Sequence, residues 1–346
     1  MVFSPSFDRL AEGDTILITG VSGLIGSATA KEALQRGFRV RGITRDPSKL
    51  LELHSAFDQD FGHRFQVCDL DDLTKAESYA THIQGVSGVI HIASDASCDI
   101  DRTVAATVDL MREAAKVPSV KAFTLTSSRA AAFDPPPPGE RLLVSSDTFL
   151  HGAVDRARSA PADGYLAYQA CKIAGEKAAW DVYRKEGLAS KYAFNTILPD
   201  WVNGAPVNPR PGVYSTYTGM PEFYSGSYGP TTTFYFFTHP PSTCVALRDV
   251  AALHVISLAA GEVDGERLFA TQGTWCAADV VQAIAKVDVA WKPPKEYAEA
   301  TPMPRSDIVV PNERFRELIQ RYTGRPLVDL EASIVEVVRA YQATQR

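Results

Sequence analysis

The chain has 346 residues, 45% of them hydrophobic and 22% charged, and carries a net charge of -6. That length and apolar content exclude a disordered chain and support a sizeable core in one large domain or two unequal ones. Mild acidity without any run of like charge excludes the basic footprint that nucleic acid or an anionic membrane surface demands. No stretch approaches the roughly 18 apolar residues of a membrane span, and the opening "MVFSPSFDRLAEGD" lacks the apolar segment of a secretion signal. Five scattered cysteines, at 68, 98, 171, 244 and 276, suit reduced thiols better than a disulfide framework or a metal site. The expected setting is cytoplasmic, with no nucleic-acid or membrane partner. These numbers do not decide between monomer and homodimer.

In chain order, the predicted strands are "TILIT" (15–19), "FRVRGIT" (38–44), "RFQVC" (64–68), "GVIHIA" (88–93), "AFTLTS" (122–127) and "YAFNTILP" (192–199). Helix-like segments lie between them, near 24–36, 72–83, 101–116 and 164–186. Strands that are apolar throughout suit a parallel sheet buried on both faces, so the expected class is a doubly wound α/β sheet of Rossmann type. After Pro199 the pattern changes: residues 204–243 are rich in Gly, Pro, Tyr and Phe with weak periodicity, and strand, helix and strand then return before a helical last seventy residues. The predicted division is a sheet-forming domain over 1–203, resumed at 244–272, with a smaller discontinuous lobe made of 204–243 and 273–346. The proline run at 135–138 is read as a stiff loop.

The first strand leads into "TGVSGLIG", residues 19–26. Gly20 allows the tight turn, Gly23 lets backbone approach a pyrophosphate, and Gly26 lets the following helix pack against the sheet. The helix N-terminus adds unpaired N–H groups and a favourable dipole. At the end of the second strand, "GITRDPSKL" offers Arg45 and, one turn on, Lys49, where NAD binding calls for a carboxylate. Two cations there point to the 2'-phosphate of NADP, with Asp46 read as the N-cap of a helix opening at Pro47. At the end of the third strand, Asp69 has two readings: an acceptor for the adenine amino group, or another cap.

Residues 164–180, "GYLAYQACKIAGEKAAW", place Tyr168 and Lys172 on one helical face. With thirteen tyrosines and twelve lysines, chance supplies about half an occurrence of this spacing, so its position after the fifth strand carries the argument. A phenol with an ammonium beside it is a suitable proton donor to a developing alkoxide. Ser128, in "TLTSSRA", is placed to hydrogen-bond a carbonyl oxygen; Ser127 is its rival, and Tyr165 is read as substrate wall or core. The seven histidines lack H-E-x-x-H spacing, so no metal is expected, and His91 is read as a packed residue near the cofactor.

"TGVSGLIG", "CDL", "TSS" and "YQACK", in this order, resemble the extended short-chain dehydrogenase/reductase family, and "ILPDWVNG" and "CVALRDVAALHVISL" are similar to further segments of it. Within it, "ITRDPSKL" and "TSS" resemble the dihydroflavonol-reductase-like branch, which includes fungal aldehyde and carbonyl reductases. The resemblance implies an NADP(H)-dependent ketoreductase or aldehyde reductase in which Tyr168 gives the proton, Lys172 also holds the nicotinamide ribose, and Ser128 orients the carbonyl. The expected cofactor contacts are Thr19, Gly20, Gly23, Leu24, Ile25 and Gly26 around the turn, then Arg45 and Lys49. Asp69 and Leu70, Ala93 and Ser94, and Lys172 with Pro199 complete them. Two places depart from the family pattern: "SSRAAA" replaces the usual small residues after Ser128, and Asp200 stands where Asn is frequent.

Residues 211–247 contain nine aromatic rings, Tyr214, Tyr217, Phe223, Tyr224, Tyr228, Phe234, Tyr235, Phe236 and Phe237, and no Lys or Arg. Such a segment suits an apolar or aromatic carbonyl compound, with Tyr217, Phe223 and Phe236 as expected pocket wall; the alternative is that the rings form the lobe's own core. A sugar-nucleotide epimerase or dehydratase of the same fold would need cations for a diphosphate, and a non-enzymatic NADP sensor would have no use for Tyr168, Lys172 and Ser128.

Overall fold

A computed structural model describes residues 6–70, 72, 74–94, 97–137, 139–159, 164–207, 215–227, 229–238, 240–299 and 303–345. The chain begins with strand β1 (Thr15–Thr19), helix α1 (Leu24–Gln35), β2 (Arg39–Thr44), α2 (Leu51–Phe61), β3 (Phe65–Asp69), the short α3 (Ala76–Tyr79) and β4 (Gly88–His91). It continues through α4 (Ile100–Ala115), β5 (Ala122–Thr126), β6 (Arg141–Leu143), α5 (Ala153–Ser159), α6 (Gly164–Lys185), β7 (Ala193–Pro199) and β8 (Trp201–Asn203). Then come α7 (Ser215–Ser225), α8 (Pro230–Thr233), β9 (Thr243–Ala246), α9 (Leu247–Ala259), β10 (Arg267–Ala270) and β11 (Gly273–Thr274). The last elements are α10 (Ala277–Val287), α11 (Lys295–Glu299), β12 (Asp307–Val309), α12 (Glu313–Thr323) and α13 (Leu330–Thr344).

Seven parallel strands form the central sheet in the order β10-β7-β5-β4-β1-β2-β3. Strand order reverses between β1 and β4, and in a doubly wound sheet the crevice at that reversal is where ligands bind. Alternating side chains cover both faces: Leu17, Val89 and Phe123 pack with Met111 of α4 and Trp180 of α6, while Ile16, Ile18 and Ile90 pack with Ala30 of α1 and Leu258 of α9. A three-stranded sheet, β11-β9-β8, and a parallel pair, β12-β6, lie outside it. Among the described residues no helix is long and apolar enough to cross a membrane.

The six strands predicted before residue 200 are all present, with ends that move by one or two positions. The fourth stops at His91, not Ala93, because the Thr19 hydroxyl takes the N–H groups of Ile92 and Ala93, each at 3.1 Å. The helix expected over 72–83 is confined to Ala76–Tyr79. Beyond it the backbone tightens, with the Ala80 N–H donating to the Glu77 carbonyl at 3.2 Å, while Ile83 and Val86 are drawn fully into the core.

Candidate active site

The carboxyl ends of the central strands open into a cleft of about 830 Å3. Another cavity, of about 640 Å3, lies against α10 and α12 and is lined by groups such as Gln282, Arg305 and Arg316; the residues with proton-transfer chemistry collect in the first.

One end of the cleft is the turn between β1 and α1. Gly20 sits at φ +70°, and a Cβ there would stand 2.8 Å from the Ala93 nitrogen. A Cβ on Gly26 would overlap the Gly20 carbonyl. Both positions therefore exclude a side chain and leave a bare backbone cradle at the N-terminus of a 12-residue helix, an arrangement suited to a pyrophosphate. Gly23, Leu24 and Ile25 line the same cleft, as do Ala93, Ser94 and Pro199. Arg45 and Lys49 line the cleft beyond the end of β2, both exposed. Asp46 caps the 3-10 turn Pro47–Leu50, accepting from the Ser48 N–H at 3.1 Å, and meets Lys49 at 3.6 Å. The donor set of this end, bare N–H groups and two cations, fits a dinucleotide with an extra phosphate.

Three expected contacts fall outside this wall. Thr19 is fully buried behind it and donates to His91 Nδ1 at 2.8 Å. Asp69 is exposed at the end of β3, and the Leu70 side chain is buried in the hydrophobic core beneath α3 and α4.

The other end holds Ser128, Tyr168 and Lys172. Lys172 Nζ donates to the Thr126 carbonyl at 3.3 Å and lies 5.9 Å from the centre of the Tyr168 ring. Burial, reinforced by the Lys172 charge, pushes the His91 imidazole down to about 3, so it stays neutral. The two serines separate cleanly. Ser127 donates to Glu176 Oε2 at 2.7 Å, whereas the Ser128 Oγ accepts a 3.2 Å bond from the Ala130 N–H and donates to no partner among the described residues. Glu176, four residues beyond Lys172 on the same helix, is completely buried and also takes Thr196 Oγ1 at 2.9 Å and Arg267 Nε at 2.7 Å. A single buried carboxylate thereby ties α6 to β5, β7 and β10.

The departures at 129 and 200 meet each other. Arg129 Nε faces Asp200 Oδ1 at 3.0 Å, both side chains 5% exposed or less. The N–H is tilted off the oxygen, so charge attraction holds the pair more than a directional bond does. Burial opposes the guanidinium charge, but Asp200 together with Tyr165 and Tyr235 outweighs it and raises its pKa above the ordinary value. Arg129 Nη1 also donates to the Tyr165 hydroxyl at 2.9 Å. That hydroxyl donates onward to Asp134, and burial raises the phenol's pKa despite Arg129, so Tyr165 stands as a fixed neutral wall. Neither Arg129 nor Glu176 was singled out in the sequence as a site residue; the signals were the opposite charges of two unusual residues and the four-residue step from Lys172.

The aromatic segment divides. Phe234 and Tyr235 line the cleft, Phe234 packing on Tyr165 at 4.9 Å. Phe223 and Phe236, expected as wall, are instead core: they stack on each other at 4.1 Å, 0% and 7% exposed, because α7 folds under the lobe against Trp291 and Tyr297. Tyr214, Tyr228 and the Tyr217 side chain lie outside the described residues.

The model of the NAD dependent epimerase/dehydratase family matches residues 16–196. The chain is 30% identical to aldehyde reductase 2 of Sporidiobolus salmonicolor over 276 residues, 77% of this chain and 79% of that one. It is 31% identical to the ketoreductase adrE of Penicillium rubens over 338 residues, 93% and 95% of the two chains. In fold it resembles the yeast methylglyoxal/isovaleraldehyde reductase Gre2 solved with NADPH, with a TM-score of 0.79, 18% identity, and 96% and 99% of the chains covered. The chain belongs to the NAD-dependent epimerase/dehydratase family, the extended short-chain dehydrogenases/reductases.

Proposed function

We propose that this member of the family reduces the carbonyl of an aldehyde or ketone, apolar or aromatic in character, to the alcohol with NADPH, and that Tyr168 gives the proton. The observation that carries this reading is one cleft holding Ser128, Tyr168 and Lys172 at one end and a side-chain-free turn with Arg45 and Lys49 at the other. Relatives named as an aldehyde reductase and a ketoreductase support it. In this reading residues 1–203 with 244–272 carry the cofactor, and 204–243 with 273–346 cover the substrate.

The turn and the α1 N-terminus would hold the pyrophosphate, Arg45 and Lys49 the 2'-phosphate, and Lys172 the nicotinamide ribose. When bound, the reduced nicotinamide supplies the hydride. Ser128 Oγ donates to the carbonyl oxygen and fixes its direction. The Tyr168 hydroxyl delivers its proton to that oxygen as negative charge develops there. The Lys172 ammonium stabilises the phenolate left behind. Ser127 is already bound to Glu176, which favours Ser128 for the substrate.

NADPH consumption with a panel of aryl ketones and aldehydes tests the reading. Tyr168→Phe should keep NADPH affinity and lose kcat by ~100-fold or more. A wild type that binds NADPH yet consumes none with any carbonyl, or a Tyr168→Phe variant with near-normal kcat from about pH 5 to 9, removes the proposal.

A further inference from the structure

Arg129 follows Ser128 directly and opens the short 3-10 turn Arg129–Ala131. Its side chain is only 4% exposed, yet it lines the same cleft as Ser128, Tyr168 and Lys172. A guanidinium carries five N–H donors. Nε faces Asp200, and Nη1 serves the Phe133 carbonyl at 3.3 Å and the Tyr165 hydroxyl at 2.9 Å. The two N–H groups of Nη2 have no partner among the described residues. Nε is sealed from solvent whereas Nη2 reaches the cleft, so an occupant that displaces solvent from Nη2 must bring an oxygen to it or leave the donor unpaired.

Charge decides which kind of oxygen. Asp200 is held in place by the Thr243 N–H and hydroxyl, both at 2.8 Å on Oδ2, so it cannot swing away from Arg129. Asp134 lies a further 3.9 Å from Nη1. A carboxylate on the substrate would meet a cation already neutralised, with a second acid nearby, and would lose its hydration without compensation. A neutral acceptor needs only the free N–H. The surrounding Tyr165, Phe234 and Tyr235 present ring faces and edges suited to an aromatic body.

We propose that Arg129 is a specificity-determining residue, and that this site selects aromatic carbonyl compounds carrying a second, uncharged oxygen acceptor. The proposal rests on the reductase reading of the same site. A pocket built to bond an oxygen discriminates against the analogue lacking it far better than an apolar pocket rejects an extra methylene.

The test uses acetophenone, its 2'-, 3'- and 4'-hydroxy isomers, and 3- and 4-acetylbenzoate. Their dissociation constants are measured by titration calorimetry into the protein with NADP+, where no reduction occurs, and kcat/KM is measured with NADPH alongside. At least one hydroxy isomer should bind tenfold or more tighter than acetophenone, and both acetylbenzoates more weakly than it. This ranking should flatten when Arg129→Met is combined with Asp200→Asn, which removes both charges together. Equal affinity across the isomers, tighter binding of an acetylbenzoate, or a ranking that survives in the folded double variant overturns the proposal. If the double variant does not fold, the wild-type ranking decides alone. The expected ranking in binding without reduction of any ketone upholds the role of Arg129 and removes the reductase reading instead.

Discussion

Ser127 and Ser128 are neighbours whose hydroxyls have different obligations. Removing the Ser127 hydroxyl takes one of the bonds from a fully buried carboxylate, so Ser127→Ala should lower unfolding stability by about 1.5 to 3 kcal/mol. Ser128→Ala should leave stability nearly unchanged and lower kcat, with NADPH affinity intact. Urea unfolding curves and steady-state kinetics on the two variants check this, and a reversed pattern would assign the catalytic hydroxyl to Ser127. Arg45 is exposed, and in the proposed reading it serves recognition of the cofactor. As a charge-assisted partner of the 2'-phosphate it should supply a ten- to hundredfold preference, about 1.5 to 3 kcal/mol. Arg45→Ala should therefore weaken NADPH and spare NADH; equal loss for both cofactors, read by fluorescence titration, would displace it from that role.

At the scale of elements, α9 and β5 are joined by a buried imidazole. His254 Nδ1 donates to the Val250 carbonyl at 2.7 Å, which leaves Nε2 to accept from the Thr126 hydroxyl at 2.7 Å. Burial pushes its pKa down to about 4, and that of His91 to about 3. Unfolded, each ring takes up a proton below about pH 6.5; folded, it stays neutral well below that. The unfolded chain thus binds more protons between pH 6.5 and 3 to 4, so the stability from both histidines is whole above that window and falls as pH drops through it. The slope approaches ~1.4 kcal/mol per pH unit for each ring. Denaturant midpoints between about pH 7.5 and 5, above the main carboxylate titrations, should show this loss, and His254→Gln should remove close to half of the slope. A flat wild-type profile over that range would mean that these rings are not held neutral.

For the whole molecule, the aromatic residues after β8 do two jobs that their composition does not separate. Phe223 is sealed under the lobe, stacked on Phe236 and edge-on to Tyr297, so Phe223→Ala should cost ~3 to 5 kcal/mol of stability. Any effect on substrate choice should follow only from that loss. Phe234, on the cleft wall, should behave in the opposite sense: Phe234→Ala should alter the kcat/KM ratio between bulky and small ketones with little change in melting temperature. Equal effects of the two variants on selectivity would return Phe223 to the wall.

The central sheet was legible because each of its strands is a local event. Apolar runs such as "TILIT" and "GVIHIA" suit a doubly buried parallel sheet, and Gly26 is demanded by the Gly20 carbonyl six residues before it. Tyr168, Lys172 and Ser128 were legible for the same reason, their spacing being set within one helix and one strand end. The α3 region was misjudged because Ile83 and Val86 are held by the core and not by a helical repeat. Burial on a lobe is likewise invisible to composition: Phe223 and Phe234 are eleven positions apart and chemically identical, yet one faces Tyr297 and the other Tyr165. The ion pair of Arg129 with Asp200, and the Glu176 junction with Ser127 and Arg267, join residues 49 to 91 positions apart. The sequence by itself therefore determined the sheet, the glycine turn after β1 and the shared helical face of Tyr168 and Lys172, whose geometry follows from short-range spacing. Only the tertiary structure decided which rings wall the cleft and which charges meet in it, since those contacts exist only once distant strands lie side by side.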